Sequence, residues 1–406
     1  MIASSPTFEV KLAGRPCAVC SGCQAEVLRH QPFALPEGHP LPAAYDVVCC
    51  RGCGFCYADT PAPQAAYDRY YADFSKYADD RTATGGGGSA EDARRLREFA
   101  GQLAAACPGP AAVSVLDIGC SNGGLLEALQ AYGFQHLTGV DPSPACVANA
   151  ARRPGLQVWE GTLTALPPGL DRYDLIVLSH VLEHVADLRG VLAPLARLLN
   201  PHGRLYVEVP DAMRYTEFLT APFQEFNVEH INHFSLSSLR RLFAGHGFGS
   251  AGGGQKDLPA AQGLSYPAVY GFFRCQETAA EQPPDFALRT ELRAYIAKSA
   301  ELMRAIECKI SPLAAPAAGP VIVWGTGQLA LKLLVETSLR DAQIAAFVDA
   351  NPINQGQTLR GVPVLAPTRL GELPRYPVLI ATQLHQESIL AMLRGELGLD
   401  NPVVTL

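Results

Sequence analysis

Three side chains able to move protons fall within five residues, in the segment FNVEHINHFS from Phe226 to Ser235: Glu229, His230 and His233. Histidine is suited to taking a proton near neutral pH, and a neighbouring carboxylate orients it and stabilises its charged form. On a helix His230 and His233 would share a face; on an irregular loop Glu229 and His230 would both enter a cleft. A packing role for the trio stays open beside the chemical one. A second constellation is made of sulfur: of twelve cysteines, seven lie between Cys17 and Cys56. Such clustering in a long chain points to a metal rather than to disulfides. The knuckles CAVC at Cys17 and Cys20 and CRGC at Cys50 and Cys53 supply two thiolates each, completing a closed tetrahedral zinc site. Four thiolates leave no position for catalysis, so the expected metal is structural. Cys20/Cys23 and Cys53/Cys56 share the spacing and remain alternatives.

The third constellation is a backbone device. Val115 to Val140 reads VLDIGCSNGGLLEALQAYGFQHLTGV and runs into Asp141: an apolar strand, a glycine turn, an apolar-faced helix and a second strand closing on an acid. A strand ending in small residues leaves N–H groups free at the next helix start, and the acid stands where a ribose would lie. An adenosine-like ligand is expected. The spacing is D-x-G-x-x-x-G, not the G-x-G-x-x-G that brings backbone onto a pyrophosphate. Asp117 to Gly123 resembles the first motif of class I S-adenosylmethionine methyltransferases, with Ser121 where a middle glycine often stands. The resemblance implies that Asp117, Gly119, Ser121 and Gly123 line the methionyl part, that Asp141 accepts both ribose hydroxyls, and that Glu160 to Leu163 pass near the adenine. Without it, Asp141 reads as a turn former before Pro142 and Glu160 as a solvated acid. Tyr173 to Asp187, YDLIVLSHVLEHVAD, is a strand whose end, Ser179 and His180, reaches the ligand in the same pattern. Glu183 and His184 suggest a metal pair, although adjacent side chains diverge on a helix and capping or packing explains them as well.

These groups need a scaffold. Strands are expected at Val113–Ile118, Leu137–Val140, Leu156–Glu160, Tyr173–Ser179 and Arg204–Val209, with helices at Glu91–Ala106, Leu125–Tyr132, Pro144–Ala151 and Leu188–Leu199. Alternation of that kind gives a parallel sheet covered on both faces. Pro320 to Pro352, PVIVWGTGQLALKLLVETSLRDAQIAAFVDANP, repeats the pattern, with Gly325 and Gly327 in the turn and Asp349 at nearly the same interval as Asp141 from Gly119. Ala330 stands in the final glycine position, a tolerated replacement, so NAD binding stays open. Gly252 to Leu313 is weakly patterned apart from a helix at Phe286–Ile310. Thr82 to Ser89 is too glycine-rich for a regular element. The expected division is a zinc module with an aromatic linker at 1–82, a central domain at 83–255 and a Rossmann-like domain at 256–406.

With 406 residues, 48% hydrophobic and 17% charged, the chain can bury two or three cores. A net charge of −7 and a pI near 5.8 offer no basic field for nucleic acid or a membrane surface. No apolar run approaches the ~18 residues of a membrane span, and MIASSPTFEVK lacks a signal pattern. A cytoplasmic protein is expected, its oligomeric state undetermined.

The whole arrangement resembles the nucleotide-sugar C-methyltransferases: an α/β class I methyltransferase core with an N-terminal four-cysteine zinc module, an E-H-x-x-x-F-S segment and a C-terminal Rossmann-like domain. The resemblance implies S-adenosyl-L-methionine and Zn2+ as cofactors and a nucleoside-diphosphate keto-sugar held between the central and C-terminal domains. His230 would be the general base, assisted by Glu229. Gly325, Gly327 and Asp349 would lie near the nucleotide, and Asn227, His233, Tyr71 and Tyr77 near the sugar. The sequence departs from Y-H-E-H in having Asn227-Val228 before Glu229-His230, so a hydroxyl or amine acceptor stays open, as does a sugar oxidoreductase or epimerase using NAD.

Overall fold

A computed structural model describes residues 9–73, 87–260, 263–276 and 282–406. Two compact units emerge: Met1–Leu28, Val47–Phe218 and Glu229–Leu292 form the first, and Arg29–Asp46, Leu219–Val228 and Arg293–Leu406 the second. The cysteine-bearing strands thus belong to the same unit as the central sheet, rather than to a block ending at residue 82. Strand pairing accounts for this. β1 (Val10–Leu12), β2 (Gln24–Pro32), β3 (Ala44–Cys50) and β4 (Cys56–Asp59) are joined at β4 by β10 (Asn232–His233), with Tyr57 opposite Asn232 and Cys56 opposite His233.

In the first unit β5 (Ser114–Ile118), β6 (His136–Asp141), β7 (Leu156–Glu160), β8 (Tyr173–Ser179) and β9 (Leu199–Pro210) form a parallel run extended antiparallel by β12 (Ser265–Cys275) and β11 (Phe248–Pro259), in the order β11-β12-β9-β8-β5-β6-β7. Leu175, Ile176, Val177 and Leu178 of β8 are fully buried, as expected for a central strand covered on both faces. Each such side chain contributes roughly 1.5–3 kcal/mol of burial. The helices are α1 (Gln64–Asp73), α2 (Ala90–Ala106), α3 (Gly124–Gln130), α4 (Pro144–Ala150), α5 (Leu188–Leu198) and α6 (Leu236–Ala244). Ser89, Ser143 and Asp187 cap α2, α4 and α5 by accepting a backbone N–H three residues on, satisfying a donor that the helix start leaves free.

The expected parallel strands and their helices form within a few residues of the positions read from sequence. The hairpin β11–β12 was not legible: β11 reads FGSAGGGQKDLP, with a register shift between Ser250 and Gly253. A side chain at Gly253 would place its Cβ 2.5 Å from Tyr270 O, so the glycine run serves close strand approach, not a loop.

The second unit holds a six-stranded sheet in the order β15-β16-β14-β13-β17-β18, formed by β13 (Val321–Trp324), β14 (Ile344–Val348), β15 (Thr358–Leu359), β16 (Val362–Leu365), β17 (Val378–Ile380) and β18 (Val403–Thr405). All pairs are parallel except β15–β16. α7 (Ala287–Ile310) fills the expected helix at 286–310, and α8 (Gln328–Glu336) and α9 (Gln386–Ala391) follow. Among the described residues no helix is long and apolar enough to cross a membrane.

Candidate active site

β5 ends against the turn that carries the first group of candidate residues. Gly119 has φ 83°, and a Cβ there would meet Val181 Cγ2 at 2.8 Å, so both backbone and space require glycine. Its N–H donates to Val140 O at 2.7 Å. Ser121 N donates to Asp141 Oδ2 at 2.8 Å and Ser143 N to Asp141 Oδ1 at 2.9 Å. Each carboxylate oxygen keeps one lone-pair direction, enough for two ribose hydroxyls. The second bond is the local turn before α4, the turn-forming role read from Asp141-Pro142. Burial pushes Asp141 up to about 6 and, with Asp141 nearby, Asp117 up to about 7. Gly123, at φ 78°, opens α3. Glu160 is exposed and pairs in register with Asp141 on the neighbouring strand.

At the end of β8, His180 takes a left-handed backbone (φ 56°), and its N–H donates to Glu208 O at 2.8 Å. Its ring lies between two carboxylates, 3.0 Å from Glu183 Oε1 and 3.4 Å from Glu208 Oε1. Burial opposes its charge, but these two neighbours outweigh burial and lift His180 to about 9. Ser179 Oγ donates to Glu208 Oε1 at 3.3 Å. Glu208 is fully buried, and Lys256 from β11 pairs with its other oxygen. Tyr206 OH donates to that same oxygen at 2.6 Å. Burial would raise Glu208, yet His180 and Lys256 hold it down to about 2.

Glu183 and His184 lie on a single 3-10 turn, Leu182–His184. They do not diverge as on an α-helix: His184 Nε2 is 3.7 Å from Glu183 Oε1. His184 Nδ1 donates to Glu229 O at 3.0 Å, fixing its tautomer, and its ring centroid is 5.0 Å from that of His230 and 5.3 Å from that of Tyr71. Tyr71 OH donates to Glu229 Oε2 at 2.8 Å. Burial pushes His184 down against the pull of Glu183, so it is neutral at pH 7. One ligating atom each of Glu183, His184 and His230 lies within 4.8 Å of the others. The loop alternative therefore holds for Glu229 and His230, which meet Tyr71 and His184. His233 goes elsewhere. It is fully buried on β10, 3.4 Å from Tyr215 OH through Nδ1, and burial together with the charges of His230 and Arg15 pushes it down to about 3. Its place is that of a packed neutral imidazole rather than the expected sugar contact. Asn227, in the second unit, accepts Tyr45 OH through its carbonyl at 2.7 Å. Tyr77 lies outside the described residues.

Of the seven clustered cysteines, Cys17, Cys20, Cys50 and Cys53 bring their sulfurs within 4.8 Å of one another. Cys17 and Cys53 sulfurs are 3.5 Å apart, and those of Cys20 and Cys50 are 3.4 Å apart. A zinc–sulfur distance of about 2.3 Å gives tetrahedral edges of roughly 3.8 Å, so the set fits the ion. Cys49 and Cys56 instead turn their sulfurs to Gly54 O, at 3.5 and 3.4 Å, and Cys23 is exposed. Gly54 closes the second knuckle at φ 80°, and a Cβ there would meet Asp285 O at 2.2 Å.

In the second unit Gly325 has φ 106°, and its N–H donates to Val348 O at 2.7 Å, repeating the Gly119 contact. Gly327 precedes α8. Asp349 accepts Thr326 N at 3.0 Å, Thr326 Oγ1, Asn351 N at 2.8 Å and Asn354 Nδ2 at 3.2 Å. Three of these four donors fall on Oδ2 and one on Oδ1, whereas Asp141 takes one donor on each oxygen.

Residues 88–249 match a family model described as a methyltransferase domain. The chain carries a methyltransferase domain. The ubiquinone biosynthesis O-methyltransferase of Azorhizobium caulinodans is 34% identical over 121 residues, 29% of this chain and 43% of that protein. The C-methyltransferase NovU of Streptomyces niveus is 26% identical over 295 residues, 68% of each chain. The solved 1,6-didemethyltoxoflavin-N1-methyltransferase of Burkholderia thailandensis is 21% identical with a TM-score of 0.40, covering 55% of this chain and 96% of that one. This chain spans less than half of the first relative.

Beside Glu183, already singled out in the sequence, stand two residues that the sequence reading passed over, Glu208 and Lys256. Glu183 joins His180 to His184, and its Oε2 is buried with no hydrogen-bond partner, the kind of acceptor a ligand satisfies. Glu208 and Lys256 give no local signal, because their partners lie on strands distant in sequence.

Proposed function

We propose that the protein is an S-adenosylmethionine-dependent methyltransferase acting on carbon adjacent to a ketone of a nucleotide-linked sugar. The carrying observation is the junction of Tyr71, Glu229, His230 and His184 beside Glu183, just after the end of β8. Asp117, Gly119, Ser121 and Gly123 would hold the methionyl part, Asp141 the ribose, and Glu160 would pass near adenine. Bound S-adenosylmethionine supplies an electrophilic methyl group on a cationic sulfur.

Carbon beside a ketone attacks nothing until it loses a proton. His230 removes that proton; the C–H electron pair becomes the enolate, a carbon–carbon bond forms to the methyl group, and the sulfur–carbon bond breaks toward sulfur. Glu229, oriented by Tyr71, stabilises the protonated His230, and Tyr71 lines the sugar side. Proximity and orientation supply much of the barrier lowering. Zinc on Cys17, Cys20, Cys50 and Cys53 would be structural. Gly325 and Gly327 would approach the nucleotide diphosphate.

The relatives matched over the methyltransferase domain include O-methyltransferases, which favours a hydroxyl acceptor as the second reading. His230→Ala separates the roles. Its turnover should fall by about 100-fold or more while S-adenosylmethionine affinity by calorimetry is unchanged. Full turnover with intact affinity would remove His230 from the reaction.

A further inference from the structure

The segment carrying His230 is clamped by groups outside the acid–base cluster. Ile231 N donates to Glu183 O at 2.8 Å, and Ile231 O accepts Ala58 N at 2.9 Å. Asn232 Nδ2 donates to Leu182 O and to Val185 O, both at 2.8 Å. Its Oδ1 accepts Arg15 Nη2 at 2.7 Å. The same guanidinium donates to Ala186 O at 2.9 and 3.2 Å, and to Val185 O, Ala58 O and Ile231 O at 3.3 Å each.

Arg15 thus ties three stretches of chain in one fork: β4, the turn after β8, and the residues flanking His230. Its side-chain acceptors are all neutral oxygens, so the group is not there to satisfy a carboxylate. A lysine offers three donors from one point and cannot span the same geometry. Arg15 also lies two residues before Cys17, at the entry to the first knuckle. Tyr57 OH donates to its carbonyl at 3.0 Å and Asp59 Oδ1 accepts its backbone N–H at 2.9 Å, so the cysteine module fixes where the fork points.

We propose that Arg15 is the positioning residue that couples the four-cysteine module to the acid–base pair, holding the Leu182–Val185 turn and the Glu229–Asn232 segment in register so that His184 faces His230. The consequence for turnover rests on reading His230 as the base; the placement itself does not. The cysteine module is then part of the reaction centre's construction, although none of its sulfurs takes part in the chemistry.

The test uses the full chain with histidine labelled at Cε1, the His184 and His230 resonances being assigned by single substitution. Arg15→Met, Arg15→Lys and Asn232→Ala are compared with the parent for S-adenosylhomocysteine binding by calorimetry and for those two resonances. Expected are unchanged affinity for S-adenosylhomocysteine and shifted, broadened His184 and His230 signals, with Arg15→Lys failing to restore them. On any keto-sugar the parent methylates, kcat should fall about 10- to 100-fold with KM nearly constant. Unchanged His184 and His230 signals in folded variants would overturn the proposal. Should both Arg15 variants fail to fold, Asn232→Ala decides, since it leaves the other contacts of the guanidinium in place. If His230→Ala keeps turnover while Arg15→Met still moves the resonances, the base assignment falls and the positioning role stands.

Discussion

Asp117 and Asp141 are carboxylates that the fold makes hard to charge, because burial raises both and each lies near the other. A proton is held more tightly in the folded chain, at about 7 and about 6, than at the ordinary value of 3.8. The folded chain therefore loses relative stability as pH rises from the unfolded value through those folded values, the reverse of a salt-bridged acid. Asp117→Asn should stabilise the ligand-free protein at pH 8 by on the order of 1–3 kcal/mol, read as a higher thermal midpoint, and change it little at pH 4. The same variant should bind S-adenosylmethionine more weakly. Equal midpoints of variant and parent at pH 8 would contradict this origin of strain. The sequence disclosed these two acids because their spacing from Gly119 is local. It did not disclose that Asp349, at a similar interval from Gly325, accepts Thr326 and Asn354 on Oδ2 and Asn351 N on Oδ1. It also placed His233 near the sugar, since the pairing of His233 with Cys56 on a strand distant in sequence is what buries it.

At the scale of elements, the parallel strands were readable because runs such as Leu175–Leu178 are buried on both faces and carry nothing but large apolar side chains. β10 was not, for it has only two residues and exists by pairing with β4. The choice among cysteine pairs was likewise beyond the spacing; the Gly54 turn decides it by drawing the Cys49 and Cys56 sulfurs to a carbonyl. Cys20→Ser should lower bound metal and the thermal midpoint together, because binding free energy of a structural ion is folding free energy. Cys23→Ser should leave metal content, measured by elemental analysis of the purified chain, at the parental level. Loss of metal in Cys23→Ser with retention in Cys20→Ser would place the ion on the other pairs.

On the scale of the whole molecule, cuts expected at residues 82 and 255 came from composition, whereas the two units share out the N-terminal strands through pairings that are distant in sequence. Each unit carries a strand, a glycine turn and an acid, but Asp141 accepts two donors where Asp349 accepts four. The C-methyltransferase from Streptomyces niveus is similar over 68% of the chain, a longer stretch than the residues 88–249 matched by the methyltransferase family model. The central claim is transfer of a methyl group to carbon. Incubation with S-adenosylmethionine carrying a deuterated methyl group and a panel of nucleoside-diphosphate keto-sugars, followed by mass and carbon NMR spectra of the product, tests it most directly. The account predicts that the intact deuterated methyl group appears bonded to the carbon beside the ketone. Label on oxygen or nitrogen would contradict it.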